Sequence, residues 1–238
     1  SRGPELCASD LTAREVRVSI DGTQIALEPS PLADALGGNL RTQLIGEVFA
    51  ENALAAAAGA LAAGVDGATV VRGIAECPGV PGRFELVARA PVAIAVDYAH
   101  TPDALARTCD AARALAGRAR VIVVFGAGGG ADPEKREPMG RAVGQRADVA
   151  VVTNDNPRRE DPKAIAKAVT RGAERGGRAY VVVELDRRAA IRQALERARA
   201  GDVVVIAGKG HERGQTIGAE TLPFSDAEEV QQLLGGHG

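Results

Sequence analysis

Val121-Ile122-Val123-Val124-Phe125-Gly126-Ala127-Gly128-Gly129-Gly130-Ala131 is an unbroken apolar run that stops in a glycine-rich turn. Five consecutive apolar residues without polar alternation suit a strand covered on both faces, the usual condition of a parallel sheet. Runs of the same kind occur at 94–97, 149–153, 179–185 and 203–206, and helical stretches separate them at 102–115, 135–146, 162–175 and 187–200. Alternating βαβ units predict an α/β fold with a doubly wound, mostly parallel sheet of Rossmann-like type. Ligands of such sheets sit beyond the carboxyl ends of the strands, so the residues after each run are where chemistry is expected.

The chain before this region has a different texture. Val16 to Ile20 alternates with period two, Asp21-Gly22 signals a turn, and Gln24 to Leu27 returns, which predicts a hairpin at the edge of a larger sheet. Residues 52–63 are nearly all alanine or leucine and stop at Gly64, which predicts a buried helix; a second helix is expected over 68–76. Cys77-Pro78-Gly79-Val80-Pro81-Gly82 admits neither helix nor ladder. The expected division is therefore 1–76, a linker at 77–82, and 83–238.

Composition bounds the function. With 238 residues, 45% hydrophobic and 25% charged, the chain can bury a core; 29 basic against 31 acidic residues give a net charge of -2 and no footprint for nucleic acid. Cys7, Cys77 and Cys109 form no C-x-x-C pair, so neither zinc nor disulfides are expected, and a reducing cytoplasm fits. No apolar run nears the roughly 20 residues that cross a bilayer, and no signal peptide is recognisable, so membrane insertion is not expected.

Four strand ends carry candidates. After 94–97 come Asp97-Tyr98-Ala99-His100-Thr101-Pro102-Asp103. Thr101 with Pro102 explains a helix start, which leaves Asp97 and His100 without a structural duty. The Gly126–Ala131 turn formally matches the G-x-G-x-x-G/A dinucleotide pattern, with Asp155 as a possible ribose acid, and so raises an oxidoreductase reading. Against it, Asp132-Pro133-Glu134-Lys135-Arg136-Glu137-Pro138 offers charges and prolines where a dinucleotide helix opens directly from the glycines. After 149–153 come Asp155-Asn156-Pro157-Arg158-Arg159. The planar fork of Arg158 suits a carboxylate and Asp155 can accept from an ammonium, the two charged groups of an amino acid. The last run ends in Gly208-Lys209-Gly210-His211-Glu212, which is no Walker A loop; the glycines let a ligand approach, and Glu212 suits a second ammonium.

In this order, Val80-Pro81-Gly82-Arg83-Phe84-Glu85, Asp97 to Asp103, Phe125 to Met139, Asp155 to Arg158, Asp186-Arg187 and Ala207 to Glu212 resemble the Mur ligases, and among them the members that add meso-diaminopimelate. The resemblance implies a UDP-sugar domain, a central ATPase and a C-terminal amino-acid-binding domain. It implies a ligase of peptidoglycan synthesis in which ATP with Mg2+ phosphorylates the carboxylate of a UDP-MurNAc-dipeptide, which the amine of meso-diaminopimelate then attacks. On it, 1–76 is the tail of the central ATP-binding domain and 83–238 the C-terminal domain. Asp155, Asn156, Pro157 and Arg158, with Gly208 and Glu212, hold meso-diaminopimelate, and Arg158 discriminates against lysine, which lacks the distal carboxylate. Asp97 and His100 lie toward the nucleotide, while Lys135 and Arg136 either approach phosphates on domain closure or stay as solvated helix charges.

Several positions depart from the family. No phosphate loop is present, so the chain reads as a piece of a longer ligase, or a truncated or split protein, expected to bind no nucleotide by itself, to be inactive alone, and to carry no assigned catalytic group. Gly130 and Ala131 stand where the family has Asp-Arg, and that arginine is another contact to the amino acid's carboxylate; lesser departures are Glu137 for proline and Ala227 for arginine. The loss of one charge-assisted bond, worth roughly 1.5–3 kcal/mol, predicts weakened binding. It also admits an alternative, a Mur-like scaffold without catalysis.

Overall fold

The computed structural model describes residues 11–235, so Cys7 lies outside it. The chain divides into two compact units between Gly79 and Val80, inside the expected linker.

The first unit holds an antiparallel sheet of β1 (Ala13–Ser19), β2 (Gly22–Leu27) and β3 (Asn39–Thr42), with β2 in the middle. Val18 pairs with Thr23 and Ser19 with Gly22, the register set by the Asp21-Gly22 turn. Three helices complete it: α1 (Pro31–Ala35), α2 (Glu47–Ala62) and α3 (Gly67–Glu76). Ile25, Leu27 and Leu40 meet Ala50, Ala53, Ala57 and Val70 in its core. Neither α1 nor β3 was expected, and the expected buried helix is a correction. The helix begins at Glu47, and only Ala50, Ala53 and Ala57 of α2 are buried. An alanine-rich helix presents small apolar groups on every side, so composition alone overstates how much of it is covered.

The second unit is the α/β domain. Its six-stranded sheet runs in the order β4 (Glu85–Ala88), β5 (Ala93–Asp97), β9 (Val203–Ala207), β6 (Val121–Phe125), β7 (Val149–Val152), β8 (Tyr180–Val183). Strands β5 to β9 are mutually parallel and β4 runs antiparallel on the edge beside β5. Alternate residues of the central strands face α7 (Arg187–Arg197) and α8 (Asp226–Gly235). Ile94, Val96, Ile122, Val124, Val204 and Ile206 pack there on Ala190, Ile191, Ala194 and Val230. The connections α4 (Pro102–Ala116), α5 (Arg136–Gly144) and α6 (Pro162–Gly176) are buried through Leu105, Cys109, Met139, Val143, Val169 and Ala173. A hairpin of β10 (Gly214–Ile217) and β11 (Glu220–Pro223) follows β9.

Helices α5 and α6 meet backbone to backbone. A Cβ added at Gly140 would lie 2.0 Å from the Val169 carbonyl oxygen, and one at Gly172 would lie 2.0 Å from that of Glu137. Gly144 and Gly176 are as tightly placed. Both helices thus use glycines four residues apart to approach closely.

Candidate functional site

Strands β9, β6 and β7 are adjacent and parallel, so their carboxyl ends place the turns at 126–131, 153–160 and 208–212 side by side. Gly126 and Gly129 make the first two interlock: an added Cβ would lie 2.1 Å from the Thr153 carbonyl oxygen and 1.9 Å from that of Pro157 respectively. The Gly129 amide donates to Asn156 O at 2.8 Å. These glycines are needed by neighbouring backbone, not by a pyrophosphate, and α5 opens only at Arg136 after a 3-10 turn at Pro133–Lys135. The dinucleotide reading therefore fails on geometry as well as on charge.

Asp155 is buried, and Gly208 comes so near that a Cβ there would be 2.5 Å from Oδ2; φ of +118° at Gly208 also requires glycine. Burial pushes the Asp155 carboxyl up, against the opposing pull of Arg187 and Lys209. Lys209 is fully buried between two glycines, and its Nζ donates to Asn156 Oδ1 at 2.9 Å and to Glu212 Oε2 at 3.0 Å, with Asp155 Oδ1 at 3.9 Å. Asn156 Nδ2 donates to the same Glu212 oxygen at 2.9 Å, while Asn156 Oδ1 accepts from the Thr216 amide at 3.0 Å. Partial burial works to raise Glu212, but Asn156 and Lys209 outweigh it and hold the carboxyl below its ordinary value. Pro157 is buried and closes this turn against Gly129.

Arg158 adopts φ of +53°, rare for a side chain with a Cβ, and β10 holds it there: its amide donates to Thr216 O at 3.1 Å and its carbonyl accepts from the Gly218 amide at 2.6 Å. The side chain is exposed, with Nη1 donating to Gly129 O at 2.6 Å, so part of the fork braces the glycine turn and the rest faces outward. Glu160 ties the same loops together, accepting from the Gly130 amide at 2.5 Å and from Arg136 Nη2 at 2.8 Å.

Four expectations change here. Arg136 is buried and paired with Glu160, so it is not a solvated helix charge; Lys135, half-exposed at the end of the 3-10 turn, has no such partner among the described residues. Asp97 does have a structural duty: Oδ2 accepts from the Phe84 amide at 2.7 Å, and Oδ1 from Ala99 N at 2.9 Å and Thr108 Oγ1 at 2.8 Å. His100 Nδ1 lies 2.8 Å from Tyr98 O, with its ring edge-on to Tyr98 at 4.6 Å. Glu212, expected to meet an ammonium directly, already shares Lys209 with Asp155. A cavity of about 610 Å3 lies along α5, lined by Pro133, Arg141 and Arg171.

Lys209, Gln215 and the pair Arg187–Asp226 escaped sequence reasoning. Gln215 Nε2 donates to Asp155 O at 2.9 Å. Arg187 and Asp226 are wholly buried and joined bidentately at 2.7 Å through both oxygens. The available signal was a lysine between glycines at the end of an apolar strand, a place where a charge needs a partner.

Residues 82–210 match the family model described as Mur ligase, glutamate ligase domain. The chain belongs to the Mur ligase family. A family relative from Syntrophomonas wolfei, named UDP-N-acetylmuramoyl-L-alanyl-D-glutamate--2,6-diaminopimelate ligase, is 41% identical over 96% of the chain, which spans 46% of that protein. A relative of the same name from Bradyrhizobium diazoefficiens is 47% identical over 80% of the chain and 38% of its own length. A solved structure of a Mur ligase of this name aligns with a TM-score of 0.68 and 34% identity, over 98% of the chain and 47% of the other. The chain thus spans 38–47% of these relatives, their C-terminal portion. The Thermotoga maritima UDP-N-acetylmuramate-alanine ligase MurC, at 20% identity and a TM-score of 0.65, shares the fold.

Proposed function

We propose that this chain binds and orients meso-diaminopimelate as the C-terminal, amino-acid-binding part of a peptidoglycan ligase that joins it to a UDP-MurNAc-dipeptide. The observation that carries the reading is the charge balance where β7 and β9 end. Among the described residues, Asp155, Glu212 and Asp226 pair with two buried cations, Lys209 and Arg187, so with Asp155 ionised the cluster has one negative charge to spare for an ammonium. Arg158 stands on the same turn with guanidinium nitrogens free to receive the distal carboxylate, and Gly208 lets the ligand approach the backbone.

On this reading residues 1–76 belong to the tail of the central ATPase domain, Asp97 and His100 lie on the nucleotide side, and the whole protein works in the cytoplasm. ATP and Mg2+ serve the whole ligase. The sequence has no phosphate loop, and no group of three or more His, Cys, Asp or Glu among the described residues is placed to hold a metal ion, so no step through nucleotide or metal is assigned to this chain. Its work is binding and alignment of the amine, and it is inactive alone. Among the described residues no helix is long and apolar enough to cross a membrane.

Titration calorimetry on the chain tests the reading. Binding of meso-diaminopimelate is expected, with L-lysine weaker by about tenfold or more because Arg158 loses a charge-assisted bond. Equal affinity for the two sinks the assignment of Arg158. Failure to bind either, with the fold intact, supports the second reading, a scaffold that Ala131 has deprived of its anchoring arginine.

A further inference from the structure

Arg187 opens α7, and its buried guanidinium reaches two strand ends at once. Nη1 donates to Asn154 O at 3.2 Å and Nη2 to Ala207 O at 3.0 Å. Those carbonyls belong to the residues immediately before Asp155 and Gly208, where a Cβ added to the glycine would lie 2.5 Å from the carboxylate. Asp226, at the start of α8, grips the other side of the guanidinium through both its oxygens. A fork fixed in this way holds the ends of β7 and β9 at one separation, which a flexible cation does not do.

We propose that Arg187, clamped by Asp226, is a positioning residue for the amino-acid pocket, tying the ends of β7 and β9 on one guanidinium and so setting the spacing and charge of Asp155 against Gly208. The inference deepens the proposed function and rests on it for its biological meaning, but its physical content is a property of the unliganded chain. The groups that face Asp155 are Arg187 and Lys209, which favour its ionised form, and Glu212 and Asp226, which oppose it. Removing Arg187 and removing Asp226 break the same ion pair yet act on Asp155 with opposite sign. The opposite signs report the electrostatic part of the role, and the tethering part is read separately from the strand ends.

The test uses carboxyl 13C NMR of the whole chain, with the Asp155 signal assigned by its loss in Asp155→Asn. The Asp155 titration is expected to move up in Arg187→Met and down in Asp226→Asn. Movement in the same direction in both, or in neither, overturns the proposal. Should either single variant fail to fold around its orphaned partner, Arg187→Met/Asp226→Leu removes both charges; an upward movement is still expected, because Arg187 outweighs Asp226. No movement there overturns the electrostatic role.

Arg187→Lys keeps the charge and loses the fork. It should leave the Asp155 titration in place while the Gly208 amide, which donates to Asp97 O at 3.0 Å, exchanges with solvent about tenfold faster. Unchanged exchange overturns the tethering role. Calorimetry on the unaltered chain reports separately on meso-diaminopimelate, so a failure of the proposed function shows as absent binding with the titration shifts intact.

Discussion

At the residue scale, Asp155 joins two demands that pull apart: burial resists its ionisation, and an ammonium ligand needs it ionised. Because the folded carboxyl lies above its ordinary value of 3.8, affinity for meso-diaminopimelate should fall on acidification, beginning at higher pH than for an ordinary aspartate. Calorimetry across a pH series checks this, and an affinity flat down to pH values where ordinary carboxylates protonate sinks it. Gly208 offers a second check. Gly208→Ala places a methyl 2.5 Å from Asp155 Oδ2 at φ of +118°, and strain of this kind costs about 1–3 kcal/mol, so denaturant unfolding should shift to lower concentration and binding should be lost together. The loop residues of the site were legible because Asp155, Arg158 and Glu212 are charged groups standing after apolar strands. Arg187 and Asp226 were not, since a charge reads as solvated until its partner, here 39 residues away, is known.

At the element scale, glycine inside a helix usually weakens it, and replacement by alanine gains about 1 kcal/mol. Gly140 should invert that rule. Its added methyl would meet Val169 O at 2.0 Å and Ala173 N at 2.7 Å, and overpacking of backbone against backbone costs about 1–3 kcal/mol. Gly140→Ala is therefore expected to lower the Tm, by about 2 °C or more, where propensity alone predicts a rise; a raised Tm by calorimetry refutes the close approach. The same scale shows which elements pattern could find. Strands β5, β6, β7 and β9 are buried on both faces and read as unbroken apolar runs. The edge strand β4, the exposed hairpin β10–β11 and α8 carry no such signal. The strands are four residues long, half-buried in β4 and mostly exposed in β11, and α8 mixes three acidic residues and two glutamines with its apolar ones.

At the scale of the whole molecule, stability should depend on acid through two carboxylates far from the site. Partial burial opposes ionisation of Asp148, but the Val121 amide and the guanidinium groups of Arg113 and Arg178 outweigh it; Asp202 is held low in the same way by Arg120 and the Arg199 amide. Both folded values lie below 3.8, so their contribution is present above that pH and is lost as pH falls through the folded values, while the raised Asp155 acts in the opposite sense. Chemical denaturation from pH 6 down to pH 3 should show the main loss near and below pH 4, and Asp148→Asn should flatten that part of the curve. A profile unchanged by Asp148→Asn refutes it. The glycine contact of α5 with α6 has a mechanical consequence too. The turn at 126–135 feeds α5 and the turn at 153–161 feeds α6, so two helices without a cushion of side chains between them work as one bracket. Neither turn can swing on its own, and a ligand that shifts Arg158 must drag the glycine turn with it or leave both where they are.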